Sequence, residues 1–308
     1  MQLKASAPGS LMLLGEYAVL HGKQALICAV NKRVTVTLTP RSDQQINIES
    51  PIIGSYTTSL QHLKIEKPFQ FVLSALKHYQ FKLRQGCHIH IDSDFSDQLG
   101  LGSSAAVTVA TLAVLVAWSN MKIVPLDLIR QGCQVVHQVQ GVGSGADIAA
   151  SVYGGVVGYQ SQPLYAEKFA VIHPITVMYA GFKTSTVEAI QYVHHRFSTH
   201  TNIFQHIYHS IGQCATDGIQ AIRQAEWVKL GEIMNIQQGM LEALGVSVPV
   251  LRTLLDHLRS HTTILGAKIS GSGLGDCVIA LGHVLNQEQT NQHIPVEMTL
   301  QGVQCEKV

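Results

Sequence analysis

A glycine-rich turn, Gly100-Leu101-Gly102-Ser103-Ser104-Ala105-Ala106, stands directly before an almost unbroken apolar run that ends at Trp118. Nothing else in the chain restricts its fold as strongly. Small residues let backbone N–H groups approach an anion, and the first turn of a helix adds about half a positive charge. Ser103 and Ser104 can cap the helix or turn a hydroxyl toward phosphate or Mg2+. Taken alone, the stretch equally allows a capped, buried helix with no ligand. Two rival phosphate loops fit poorly. A Walker A loop needs Lys after its last glycine, where this chain has Ser103. A dinucleotide loop needs an apolar strand just before it, yet the lead-in holds Asp92, Asp94 and Asp97.

Strand patterns fill most of the first ninety residues. Val34–Thr39, Ile46–Ile48 and His88–Ile91 alternate with period two. Pro68 is expected to open a helix with Val72, Leu76 and Tyr79 on one face. Helical character is expected to dominate from Ser103 to about Gln140, before a glycine-rich segment and strand at Val156–Tyr159. In the second half, a β-rich stretch at 171–179 precedes helices near 202–223, 226–244 and 250–258. A strand, a glycine loop at Ser270–Gly275 and a second strand follow. Interspersed strands and helices indicate an α+β fold. With no Pro/Ser linker in the chain, a tightly packed boundary is expected near residue 160.

Composition narrows the partners. The 308 residues suit two domains or one two-lobed unit, and 46% hydrophobic against 13% charged favours a buried globular enzyme. A net charge of +1 without a basic run gives no reason to bind nucleic acid or an anionic membrane. The six cysteines are scattered without a CxxC pair, so neither zinc nor a disulfide framework is expected. The run from Ala105 to Trp118 is shorter than the ~20 residues that span a bilayer. The first residues lack a secretory signal pattern, and the cytoplasm is the expected compartment.

Asp147 is the candidate base. It lies in Gly141-Val142-Gly143-Ser144-Gly145-Ala146-Asp147-Ile148-Ala149-Ala150, where no other residue is charged. A lone carboxylate among small and apolar residues needs partners or a task; the bland alternative is an N-terminal helix cap. Ser270, Gly271 and Gly273 can present backbone amides to a phosphate, or form a plain turn between strands. His88 and His90 read as a solvated sheet face.

The stretch GLGSSAA resembles the ATP phosphate loop of the GHMP small-molecule kinases. Two further stretches match the same family in order: Ala7-Pro8-Gly9-Ser10 through Leu20 is similar to its N-terminal motif, and Lys268 through Cys277 to its C-terminal glycine loop. The resemblance implies a ribosomal-protein-S5-like lobe at 1–160, a ferredoxin-like lobe at 161–308, and ATP with Mg2+ in the cleft between them. It implies nucleotide contacts from Gly100, Leu101, Gly102, Ser103, Ser104 and Ala105, with Ser104 also toward the metal. Asp147 takes the catalytic position, and Glu16, Tyr17, His21, Thr186, Ser270, Gly271 and Gly273 the substrate side. A homodimer is left open.

The chain also departs from the family pattern. The motif lysine is replaced by Ser10, and Val136 occupies the place of a metal-binding glutamate. Lys183, Lys268 or His137 would have to supply the missing charge; Lys183 comes first, because Thr184-Ser185-Thr186 beside it is similar to a substrate-facing segment. Without such a replacement, a non-catalytic ATP-binding protein is the alternative. Asn235-Ile236-Gln237-Gln238 and Leu241–Ser247 resemble mevalonate kinases, whereas GSGADIAASVYGG and Gly275-Asp276-Cys277 resemble phosphomevalonate kinases. A second substrate phosphate usually requires added Arg or Lys, and the matched motifs hold only Lys268. Mevalonate is therefore the expected substrate, with phosphomevalonate as the alternative.

Overall fold

The computed structural model describes residues 2–284 and 292–308. The first half runs β1 (Leu3–Leu14), β2 (Ala25–Pro40), β3 (Gln45–Ser50), β4 (Gly54–Ser59), α1 (Gln70–Tyr79), β5 (Cys87–Ser93), α2 (Ser103–Trp118), α3 (Pro125–Gln140), α4 (Ala146–Tyr153), β6 (Val156–Gln160) and β7 (Tyr165–Phe169). The second runs β8 (Ile175–Tyr179), α5 (Thr186–Arg196), α6 (Thr201–Arg223), α7 (Trp227–Ala243), α8 (Pro249–Arg259), β9 (Gly266–Ser270), β10 (Cys277–Leu281), β11 (His293–Ile294) and β12 (Gln304–Lys307).

Two sheets organise these elements. The larger has the order β12-β1-β2-β5-β3-β4, and β6 joins β2 to β7 beside it. Its pairings are antiparallel except β3 with β5. Alternation dictates its faces: Val34, Val36 and Leu38 are buried while Thr35, Thr37 and Thr39 are half-buried. His88 and His90 lie on the wetter face, 3.5 Å from Glu49 and 3.2 Å from Asp92. The smaller sheet, β11-β8-β10-β9, is antiparallel. It carries its own core with α5, α6 and α8, built on Phe204, Leu251, Leu255 and Ile269.

The helix that begins at the glycine turn is apolar around its whole circumference because it is buried on all sides. It packs on β1 and β2 and against α1, α3 and α4. The helical stretch expected over 103–140 is made of two helices. Ser119 ends α2, Asn120 turns back with φ 53°, and Pro125, which lacks an N–H, starts α3. The chain also returns across the lobes. β7 and β12 follow residue 160 in sequence, yet they pair with β6 and β1 of the larger sheet. Among the described residues, no helix is long and apolar enough to cross a membrane.

Candidate active site

The glycine turn, the start of α4 and the loop after β9 converge on one cleft between the two cores. Its wall includes Ser10, Glu16, Tyr17, Gly100, Gly102, Ser103, Ser104, Ala105, Asp147, Lys183, Thr186, Ser270, Gly271 and Asp276. Parts of the chain more than two hundred residues apart therefore share one surface.

Local sequence explains each placement. Gly102 is the residue before α2 and has φ 67°, a conformation that costs glycine little. A Cβ there would collide with Ser10 Oγ. No side chain caps α2, so Ser103 and Ser104 leave its first turn open to a ligand. Before α4, Gly145 has φ 83°, and a side chain there would also strike Cys133 and Tyr159. Tyr159 Oη donates to Ser144 O at 2.7 Å and fixes the approach to the helix. Asp147 then falls in the first turn of α4, where the helix field favours a negative charge.

Ser10 Oγ donates to Asp147 Oδ1 at 2.8 Å. Ser10 is itself buried, and its N–H donates to Leu101 O at 3.0 Å. The serine at the motif-lysine position therefore seats the carboxylate beneath the glycine turn. Asp147 keeps part of its surface open to the cleft while lying deep in the fold. Burial raises its pKa from the ordinary value, against the Ser10 hydrogen bond and the Lys183 charge, which lower it. Lys183 Nζ donates to Asp97 O at 2.8 Å and also faces Asp276 electrostatically. Burial pushes Asp276 up to about 6, with Asp147 adding to the rise.

Other expected residues have structural employment. Glu16 is buried and forms an ion pair with Lys268, which is fully enclosed; Gln237 Nε2 also donates to Glu16. Lys268 is thereby committed within the wall, and its pKa is pushed down by burial. Ser270 Oγ accepts from Met12 N at 2.9 Å, tying β9 to β1. Tyr17 Oη donates to Ser272 O, and burial raises its pKa. Thr186 follows the Ser185 cap of α5, whose Oγ accepts from Glu188 N at 3.2 Å. Leu101, His21 and Gly273 stand outside the cleft wall. Leu101 is buried in the core, His21 stacks on Tyr208 at 4.3 Å, and Gly273 packs against Val246. Val136 does line the cleft, beside Gly143. His137 is exposed on α3 and is not part of the wall.

Sequence reasoning missed an adjoining apolar hollow lined by Ile52, Ile53, Phe69, Phe71, Ile91 and Phe95. It shares Ser103, Ser104, Gln140 and Lys183 with the polar cleft, so the two hollows meet at the start of α2. A signal was present: Ile52 and Ile53 form an isoleucine pair after Pro51 in a turn, and they remain 59% and 45% exposed. Asp276 was also missed, although it is a carboxylate in a glycine loop, the pattern that singled out Asp147.

The sequence likeness decides the family. Residues 70–155 match the GHMP kinases N terminal domain, and residues 219–292 match GHMP kinases C terminal. The chain is 32% identical over 295 residues to a mevalonate kinase of Pyrococcus abyssi, covering 90% of this chain and 88% of that one. It belongs to the GHMP kinases. It is thus an ATP-dependent small-molecule kinase. A mevalonate kinase of Thermococcus sibiricus is 30% identical over 300 residues, with 91% and 89% covered. The fold is shared with a Listeria innocua protein of known structure, at 24% identity, full coverage of both chains and a TM-score of 0.89.

Proposed function

We propose that this GHMP kinase transfers the γ-phosphoryl group of ATP to the 5-hydroxyl of mevalonate, with Asp147 receiving the hydroxyl proton. The observation that carries this reading is the Ser10–Asp147 hydrogen bond directly beneath Gly102. It aims a half-buried carboxylate at the place where the phosphate turn meets the polar cleft. The apolar hollow suits the adenine ring, the start of α2 suits the phosphates, and the polar cleft beyond suits the acceptor. As the acceptor oxygen bonds to the γ-phosphorus, the bond to the β-phosphate oxygen breaks and ADP leaves. Lys183, at the wall shared by both hollows, is placed to offset negative charge. Mg2+ bound with ATP would neutralise phosphate charge, and Ser104 faces the region where it would sit.

Mevalonate is favoured by the relatives' names and by the charge of the wall. Among its described residues, Glu16 is neutralised by Lys268, leaving Lys183 as the cation facing Asp147 and Asp276. A phosphorylated acceptor would add charge that this wall does not balance. The test is ADP release with mevalonate, phosphomevalonate, galactose and homoserine in parallel. Mevalonate is expected to give turnover at least tenfold above the others; turnover of phosphomevalonate alone would reassign the substrate.

A further inference from the structure

Asp276 is the least satisfied ionisable group in the cleft. It is 7% exposed, and its Oδ1 is buried with no hydrogen-bond partner. A buried carboxylate oxygen without a donor is costly and calls for a partner supplied from outside the chain. Its position is fixed at both backbone ends. Asp276 N donates to Phe182 O at 2.9 Å, and Ala180 N donates to Asp276 O at 2.8 Å. Next to it, Cys277 Sγ donates to Leu99 O at 3.0 Å, which ties this loop to the start of the phosphate turn. A Cβ on Gly100 would lie 2.9 Å from Asp276 Oδ1, so the carboxylate presses against the first glycine of that turn.

Charge indicates what the partner must be. Asp147, Asp276 and Lys183 give the wall two carboxylates and one ammonium, since Glu16 is already paired with Lys268. Nucleotide phosphates bring further negative charge to this region. Asp147 and Asp276 already act on each other electrostatically, like charges sharing a cleft repel, and one ammonium cannot offset them all. A divalent cation between carboxylate and phosphates removes the conflict. Mg2+ commonly uses one or two carboxylates, with phosphates and water completing its shell. Among the described residues, no group of three or more His, Cys, Asp or Glu could hold a metal.

Building on the kinase reading, we infer that Asp276 is the carboxylate that holds the divalent cation accompanying ATP, from the loop after β9 and not from the helices of the first lobe. Asp147 is then left free to handle the acceptor proton.

The experiment measures the affinity of a non-hydrolysable ATP analogue by calorimetry, in Mg2+ and in EDTA, for the parent, Asp276→Asn and Asp147→Asn. Electron paramagnetic resonance of Mn2+ in the analogue complex gives a second readout. In the parent and in Asp147→Asn, Mg2+ should tighten the analogue by roughly tenfold or more. In Asp276→Asn that gain should disappear, with affinity in EDTA equal to the parent's or better, because one negative charge has been removed. The Mn2+ spectrum should change in Asp276→Asn alone. Asn is nearly isosteric, and a thermal unfolding scan checks that the variant is folded. If Asp276→Asn keeps the parent's Mg2+ gain, the carboxylate acts as a neutral hydrogen-bonding group and the assignment is wrong. The same holds if the gain is lost in Asp147→Asn and not in Asp276→Asn. A parent that binds no nucleotide in either buffer overturns the kinase reading together with this one.

Discussion

Glu16 and Asp147 are carboxylates of the same cleft wall, yet they are partnered in opposite ways. Glu16 is enclosed with Lys268 and Gln237, and Gly15 N donates to Gln237 Oε1 at 3.0 Å, so the network is closed on every side. Asp147 has one hydroxyl hydrogen bond, from Ser10, and a cation close enough to influence it without forming an ion pair. Asp276, nearby, has an oxygen with no partner. Closed pairing uses the charge to hold the turn after β1, α7 and β9 together across the lobes. Open pairing leaves charge available to a ligand or proton. The difference teaches that lone polar residues in the motifs divide by what surrounds them, which motif matching alone does not reveal.

Substitutions can break this comparison, and the largest effect belongs to the closed network. Lys268→Met leaves Glu16 buried without a cation, which typically costs about 3–5 kcal/mol. Chemical denaturation should show that loss, and Glu16→Gln added to it should recover a substantial part. A Lys268→Met protein as stable as the parent would mean that the pair is not structural. Next in size is the stability of Asp276→Asn without nucleotide. Burial pushes the folded carboxyl up to about 6, above its unfolded value, so the folded state retains a proton that the unfolded state releases first. That contribution favours folding at low pH and is lost as pH rises through about 6. Asn has no such penalty, so the variant should be more stable than the parent at pH 8, by up to about 3 kcal/mol. The advantage should vanish near pH 4; melting temperatures across that range check it.

Smaller effects sharpen the open side. Lys183→Met should lower turnover about tenfold or more, with less change in the KM for ATP, through lost charge stabilisation. It should also move the acidic limb of the rate profile to higher pH, because Lys183 lowers the pKa of Asp147. A purely structural lysine would leave that limb in place. Ser10→Ala should move the limb in the same direction and reduce turnover by roughly tenfold, the low end of the scale of one hydrogen bond to a charged group.

Much of the fold was legible because burial obeys period. Alternation in β2 and β5 and the leucine stripe of α8 (Leu251, Leu254, Leu255, Leu258) reflect one-sided packing. The break between α2 and α3 was less plain, since apolar residues resume soon after Ser119-Asn120 and Pro125 alone marks the restart. The positions of Gly102 and Asp147 could be read from local pattern. Partnerships could not: that Lys268 serves Glu16, 252 residues away, or that Ser10 serves Asp147, 137 residues away, depends on how the sheets close. Ser10 looked like a missing charge and is the residue that seats the carboxylate. The apolar hollow was harder to read because its residues come from separate elements and turns, with the exposed Ile52-Ile53 pair as the local signal.

The role of Asp147 is tested most directly by the mevalonate-dependent release of ADP by the parent and by Asp147→Asn, measured beside each protein's affinity for ADP. The parent should turn mevalonate over, with activity falling at acidic pH as the carboxylate gains its proton. Asp147→Asn should bind ADP within about twofold of the parent while turnover drops roughly 10²-fold or more, the scale of a lost general base. Undiminished turnover in Asp147→Asn, or a parent inert toward mevalonate, would contradict that role.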